Sequence, residues 1–161
     1  MSDRVNLFDR FLTVIDSLES EKVDYILIGG FAVVLYGMPR MTQDVDIFVK
    51  PDEDNIKRLV SALHKVFHDE SVHEITLDEL IKYPVIRYGS PDGFFIDIII
   101  KIGDAFSFDD LDYQILTIKG HRIRAATPET LYKLKKDTIR PSDKTDALFL
   151  KAWIDKKTGK Q

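Results

Sequence analysis

Cysteine is absent from the 161 residues, which removes disulfides, thiolate metal sites and cysteine nucleophiles at once. Any metal must then be held by oxygen or imidazole, and clustered carboxylates favour magnesium or manganese. There is no apolar run long enough to span a bilayer, and the segment after Met1 lacks the continuous apolar stretch of a signal peptide. A cytoplasmic protein with no membrane association is therefore the expectation. No internal repeat, low-complexity tract or Pro/Gly-rich linker divides the chain, so residues 1–161 are read as one domain, with a core over about 22–126 and carboxy-terminal helices over about 128–157. The composition, 44% hydrophobic and 31% charged, is that of an ordinary globular domain.

The net charge of −4 conceals an asymmetry. Up to Ile118 there are 11 Lys+Arg against 22 Asp+Glu, whereas Lys119 to Gln161 carries 12 against 5. A basic last quarter beside an acidic body implies internal pairing, a solvated helix face, or a surface that accepts a polyanion.

The chemistry concentrates between Ile28 and Val49. An apolar strand, Val23 to Ile28, runs into Gly29-Gly30; a short helix, Phe31 to Tyr36, follows; after Pro39 a second strand, Val45 to Val49, carries Asp44 and Asp46 at its start. Strand side chains alternate between faces, so two carboxylates two residues apart share one face. Like charges held together repel unless a cation lies between them. Paired glycines allow positive φ and close approach of a ligand to the backbone, and amides at a helix start favour phosphate.

A third carboxylate, Asp97, stands inside the apolar strand Phe94 to Ile100. That strand follows Val85 to Tyr88 through the turn Ser90-Pro91-Asp92-Gly93, which predicts a hairpin. Burying an unpaired carboxylate costs several kcal/mol, so Asp97 calls for a partner or a metal.

The remaining elements are packing elements by their periodicity. A helical stripe covers Asp3 to Ser20, and a second, opened by Pro51, carries Ile56, Leu59, Leu63 and Phe67. His64 and His68 lie four apart on that second helix; with no third ligand nearby they read as a surface pair. A short helix is expected over Leu77 to Ile81, a loop or helical turn over Ile102 to Asp112, and a second hairpin from Tyr113 to Ala125. Thr127-Pro128-Glu129 opens a helix over Leu131 to Thr138; a last helix is capped by Ser142 or Asp143, and the tail frays from Lys156.

Gly29-Gly30, then Asp44-Val45-Asp46 between apolar residues, resembles the signature of the DNA polymerase β-type nucleotidyltransferase superfamily. The linking Pro39-Arg40-Met41-Thr42, and the later run from Pro128 to Lys135 followed by Arg140, Asp143 and Asp146, are most similar to the AbiEii-like proteins of toxin–antitoxin and abortive-infection systems. The resemblance implies an α/β nucleotidyltransferase fold, a mixed sheet with Asp44, Asp46 and Asp97 on adjacent strands, and magnesium- or manganese-dependent transfer of a nucleoside monophosphate from a nucleoside triphosphate. In that reading the three aspartates hold the metals and Asp97 takes the acceptor proton. Gly29, Gly30, Arg40, Thr42 and Lys135 bind the triphosphate, although Lys133 and Lys136 compete with Lys135 for the role. The acceptor hydroxyl belongs to a transfer RNA end, a protein or a small molecule, and a cognate toxin or antitoxin is an implied partner. The alternative is a module of the same fold that binds nucleotide or a partner without turnover.

Overall fold

The computed structural model describes residues 6–40, 42, 44–138 and 140–159. The expected helical start at Asp3, the tail residues Lys160 and Gln161, and Met41 lie outside the described residues.

The architecture is α+β. Helix α1 (Leu7–Ser20) begins where the Asn6 side chain accepts the amides of Phe8 and Asp9, and it buries Phe11, Leu12, Val14, Ile15 and Leu18. Strand β1 (Tyr25–Ile28) is buried throughout and passes directly into α2 (Gly29–Leu35). Strand β2 (Asp44–Val49) leads to α3 (Glu53–Phe67), capped by Asp52 and closed by His68 in the left-handed conformation. A 3-10 turn (Glu70–Glu74) and α4 (Leu77–Lys82) precede the hairpin of β3 (Val85–Gly89) and β4 (Phe95–Ile99). The expected irregular stretch from Ile102 to Asp112 holds a small ribbon, β5 (Lys101–Ile102) with β6 (Phe106–Ser107), and a 3-10 turn over Phe108–Asp110. Strands β7 (Tyr113–Ile118) and β8 (His121–Ala126) form the second hairpin, followed by α5 (Pro128–Lys135) and α6 (Pro141–Lys157).

Six strands form one mixed sheet in the order β3-β4-β2-β1-β8-β7. β1 pairs antiparallel with β2 and parallel with β8, while β2 and β4 are parallel. Its core is continuous, with Tyr25, Phe48, Phe94, Leu59 and Leu63 fully buried. Tyr36, at the end of α2, donates its hydroxyl to the Ala126 carbonyl at 2.9 Å and meets Trp153 of α6 edge-on, which ties the carboxy-terminal helices to the sheet.

Three helices differ from expectation at their ends. Helix α2 includes both glycines, since Gly29 at φ +76° turns the chain out of β1 with no intervening loop. Helix α5 starts at Pro128, capped by Thr127, and stops at Lys135 instead of running to Thr138. The cap of α6 is Arg140 with Pro141 in the first turn; Asp143 is buried inside that turn and binds other partners instead of capping.

Candidate functional site

One row of residues crosses the sheet. Arg87 of β3 faces Asp97 of β4, Asp97 faces Asp46 of β2, and Asp46 faces Ile28 of β1, immediately before Gly29. Residues paired across strands present their side chains on the same face, so two strands that are distant in sequence bring Asp46 and Asp97 together, and Asp44 joins them two residues along β2.

Asp46 bears most of the electrostatic cost. Burial, a hydrogen bond with Asp97 and the charges of Asp97 and Asp44 push its pKa from the ordinary 3.8 up to about 7, against the opposing pull of Lys135. Arg87, which the sequence reading did not include, offsets part of this charge. Its Nε donates to Asp97 Oδ1 at 2.9 Å and its Nη2 donates to Asp44 Oδ2 at 3.0 Å, so the guanidinium occupies the space between those two carboxylates. The signal for it was present in the hairpin: counting back from Gly89 opposite Phe95 sets Arg87 opposite Asp97.

The paired glycines are explained by close approach. A Cβ on Gly29 would collide with the Asp46 carboxylate, and one on Gly30 would collide with the Arg40 guanidinium. No side chain caps the start of α2, so its first amides have no side-chain acceptor from the cap.

Arg40 and Lys135 converge on a second layer of acids. Lys135 Nζ donates to Asp143 Oδ1 and Asp146 Oδ2, each at 2.9 Å, and Arg40 Nη1 donates to Asp146 Oδ1 at 3.1 Å. Arg40 Nε is buried without a hydrogen-bond partner among the described residues. Burial alone would raise the Asp143 pKa, yet bonds from Arg140, Lys135 and Thr138 hold it well below the usual carboxylate range. The Thr42 hydroxyl is turned to the Asp44 backbone, donating to its carbonyl at 3.2 Å. Lys133 and Lys136 are exposed, so Lys135 is the lysine of the three that faces the site. The basic last quarter is thus partly absorbed by internal pairing.

Between the acidic row and α5 lies a cavity of about 530 Å³, lined by Gly29 and Asp46 on the sheet side, by Ile99, Ile102, Leu131 and Leu134 on apolar walls, and by Lys135 and Arg140 as cations. It combines apolar surface with convergent charges of both signs, as a nucleotide-sized ligand requires. Three carboxylates are donors of the type that a hard divalent cation takes, beside a glycine that keeps the approach to Asp46 clear; with the Arg87 guanidinium between Asp44 and Asp97, the ligand atoms of the three do not all lie within 4.8 Å of one another, and their side chains must move for one ion to touch all three. No helix among the described residues is long and apolar enough to cross a membrane.

Known structures share this fold. The chain is similar to the crystal structure of the lincosamide antibiotic adenylyltransferase LnuA bound to lincomycin, at 18% identity and a TM-score of 0.54, covering 89% of this chain and 95% of that one. It is also similar to an antigenic nucleotidyltransferase-like protein from Paracoccidioides brasiliensis, at 20% identity and a TM-score of 0.55 over 92% and 76% of the two chains. The antibiotic-resistance factor ANT(2'')-Ia matches at 12% identity and a TM-score of 0.55 over 93% and 86%. At these identities the likeness establishes the nucleotidyltransferase fold. No curated protein sequence is significantly similar. Residues 10–147 match the family described as nucleotidyl transferase AbiEii toxin of type IV toxin–antitoxin systems. Most of the chain, with the acidic row and the glycine turn inside it, is covered by that match, and the protein belongs to the AbiEii nucleotidyltransferase family.

Proposed function

We propose that this nucleotidyltransferase moves a nucleoside monophosphate from a nucleoside triphosphate to an acceptor hydroxyl, with Asp44, Asp46 and Asp97 as the metal-holding acids. The observation that carries the reading is the register that faces Asp46 with Asp97 across parallel strands, beside the Gly29 turn. Magnesium or manganese ions held by these acids would neutralise charge on the entering and leaving oxygens of the phosphoryl centre.

The protein's own groups divide the remaining work. Asp97, only 15% exposed and next to Asp46, accepts the proton of the acceptor hydroxyl. The amides of Gly29 and Gly30 at the uncapped start of α2 bind phosphate oxygens, and the Arg40 guanidinium beside Gly30 offers further donors. Lys135, fixed by Asp143 and Asp146, lends positive charge beside Asp46. Thr42 orients the start of β2 through its bond to the Asp44 carbonyl. The apolar wall of Ile99, Ile102, Leu131 and Leu134 suits the base. Arg87 lies between Asp44 and Asp97 and would have to move aside for those acids to hold cations.

The acceptor is an RNA end such as that of transfer RNA, a protein, or a small molecule such as the antibiotics of the neighbouring folds. The family description supports a cognate toxin–antitoxin partner, with a cytoplasmic location as part of the same reading. Incubating the protein with each labelled triphosphate, magnesium and, separately, transfer RNA, a protein extract and a lincosamide antibiotic tests the reading. Label should enter one acceptor fraction and be lost with Asp97→Asn. Absence of labelling in every fraction, with magnesium and triphosphate also failing to raise the Tm, would overturn the reading.

A further inference from the structure

The expectation that His64 lacks a third ligand fails. Among the described residues, the group of metal-ligating side chains whose ligand atoms all lie within 4.8 Å of one another is His64, Glu70 and His73. His64 Nε2 is 2.9 Å from Glu70 Oε1, and His73 Nε2 is 3.4 Å from Glu70 Oε2, so both imidazoles turn the same nitrogen to opposite oxygens of one carboxylate. The left-handed turn at His68 brings this about: it ends α3 one turn after His64 and sends the chain back, so that the 3-10 segment Glu70–Glu74 lies beside the helix end. His68 points to a different place, its ring edge-on to His64 with centroids 6.2 Å apart, and it is not in the ligand group.

The backbone that presents the three ligands is already fixed. Asp69 caps the 3-10 segment through the Ser71 amide and accepts the Tyr88 hydroxyl at 2.8 Å, while Val72 and Ile75 are buried. Ion binding then requires rotation of side chains about anchored Cα positions, and little backbone ordering opposes it. The trio also borders a cavity of about 600 Å³ between α3 and the 3-10 segment, which leaves room for the remaining ligand positions to be filled by water.

We propose that His64, Glu70 and His73 form a binding site for a divalent transition-metal ion of the zinc, nickel or copper class. Two imidazoles with one carboxylate is a donor set that these ions accept and that magnesium, which requires oxygen, does not. The two sites on the molecule are thereby chemically separate: oxygen donors alone at the acidic row, nitrogen with oxygen here. A bound ion would staple the end of α3 to the segment that Tyr88 anchors to β3, the strand carrying Arg87.

The test is zinc titration of the full chain by calorimetry in millimolar magnesium, which keeps the acidic row occupied. One equivalent of zinc should bind and raise the Tm. His64→Ala and His73→Ala should each weaken binding about tenfold or more, since each removes one of three protein ligands. His68→Ala should leave it unchanged. Cobalt provides a second measurement: visible absorption of a low-symmetry nitrogen–oxygen site should develop with the wild type and vanish in His64→Ala. Because all three ligands lie at the surface, the variants should fold, as circular dichroism will show; if one does not, Glu70→Gln gives the same test with a smaller change. The proposal is overturned if zinc binds with equal affinity to a His64→Ala/His73→Ala double variant, if His68→Ala weakens binding as much as His64→Ala, or if the wild type takes up no zinc.

Discussion

Arg87 grips Asp97 with two prongs, Nε to Oδ1 at 2.9 Å and Nη2 to Oδ2 at 3.1 Å, from the strand next to it. The same Nη2 reaches Asp44 at 3.0 Å, so one guanidinium balances two of the three acids in the row. A cation binding between these acids must displace it.

Arg87→Ala should therefore tighten manganese binding at the row. The side chain is half exposed, at 53%, so solvent screens the pair and the gain is modest, about two- to fivefold in Kd. Manganese titration followed by electron paramagnetic resonance checks this, with His64→Ala as the background so that the histidine site does not contribute. Weaker binding in Arg87→Ala would mean that Arg87 holds the acids in place and does not compete with the ion.

Asp46→Asn should abolish transfer and change how stability depends on pH. With its pKa raised from 3.8 to about 7, Asp46 takes up a proton on folding between about pH 4 and pH 7. The folded state binds more protons than the unfolded one in that window, so metal-free wild type loses stability as pH rises through it, and the loss is complete above about 7. The Asn variant lacks this slope and should be more stable by about 1–3 kcal/mol at pH 8 while matching the wild type near pH 4. Urea unfolding at both pH values in the presence of a chelator measures the difference. A variant less stable than the wild type at pH 8 would make Asp46 a structural residue.

Much of this site could be read from the sequence because strand alternation is a local rule. Asp44 and Asp46 two apart, Asp97 in an apolar strand after a recognisable turn, and the paired glycines before a helix all follow from spacing alone. That Asp46 lies beside Asp97 does not, because β2 and β4 are separated by α3, α4 and β3, and only the closed sheet makes them neighbours. The partners of Lys135 were hidden for a similar reason: Asp143 and Asp146 reach it through the packing of α6 on α5, which no periodicity within either helix encodes. Helical spacing also misdirected the reading of His64. It pointed to His68 one turn on, whereas the chain leaves the helix at His68 and brings back Glu70 and His73.

Gly29→Ala should separate backbone strain from collision. Gly29 has φ +76° and no room for a Cβ beside Asp46, whereas Gly93 has φ +77° and open space around it. Both alanine variants pay the left-handed penalty of about 1–2 kcal/mol, but only Gly29→Ala also displaces the Asp46 carboxylate. It should lose transfer activity and be the less stable of the two, while Gly93→Ala keeps its activity. Equal losses in stability, with activity retained in both, would remove the argument that Gly29 exists to clear the approach to Asp46.

Lys135 is buried between two acids and borders the cavity, and its two exposed neighbours supply the control for a role in the reaction. Its Nζ is held between Asp143 and Asp146, and side-chain exposures of 7%, 6% and 0% leave the two acids without water if the lysine is removed. Breaking a buried pair by deleting one partner costs about 3–5 kcal/mol where the remaining charge is uncompensated; Arg140 still bonds Asp143 and Arg40 still bonds Asp146, so the cost here falls toward the lower end. Lys135→Met should destabilise the protein by that order, whereas Lys133→Glu and Lys136→Glu, on the exposed side of α5, should shift stability by less than about 0.5 kcal/mol. Asp146→Asn added to Lys135→Met should recover part of the loss, since it removes one of the two buried charges that lost a partner. If stability recovers in that double variant and transfer does not, the positive charge of Lys135 acts on the reaction as well as on the fold. If Lys133→Glu abolishes transfer while leaving stability untouched, the outer face of α5 meets the acceptor and the assignment of Lys135 as the lysine facing the site is wrong.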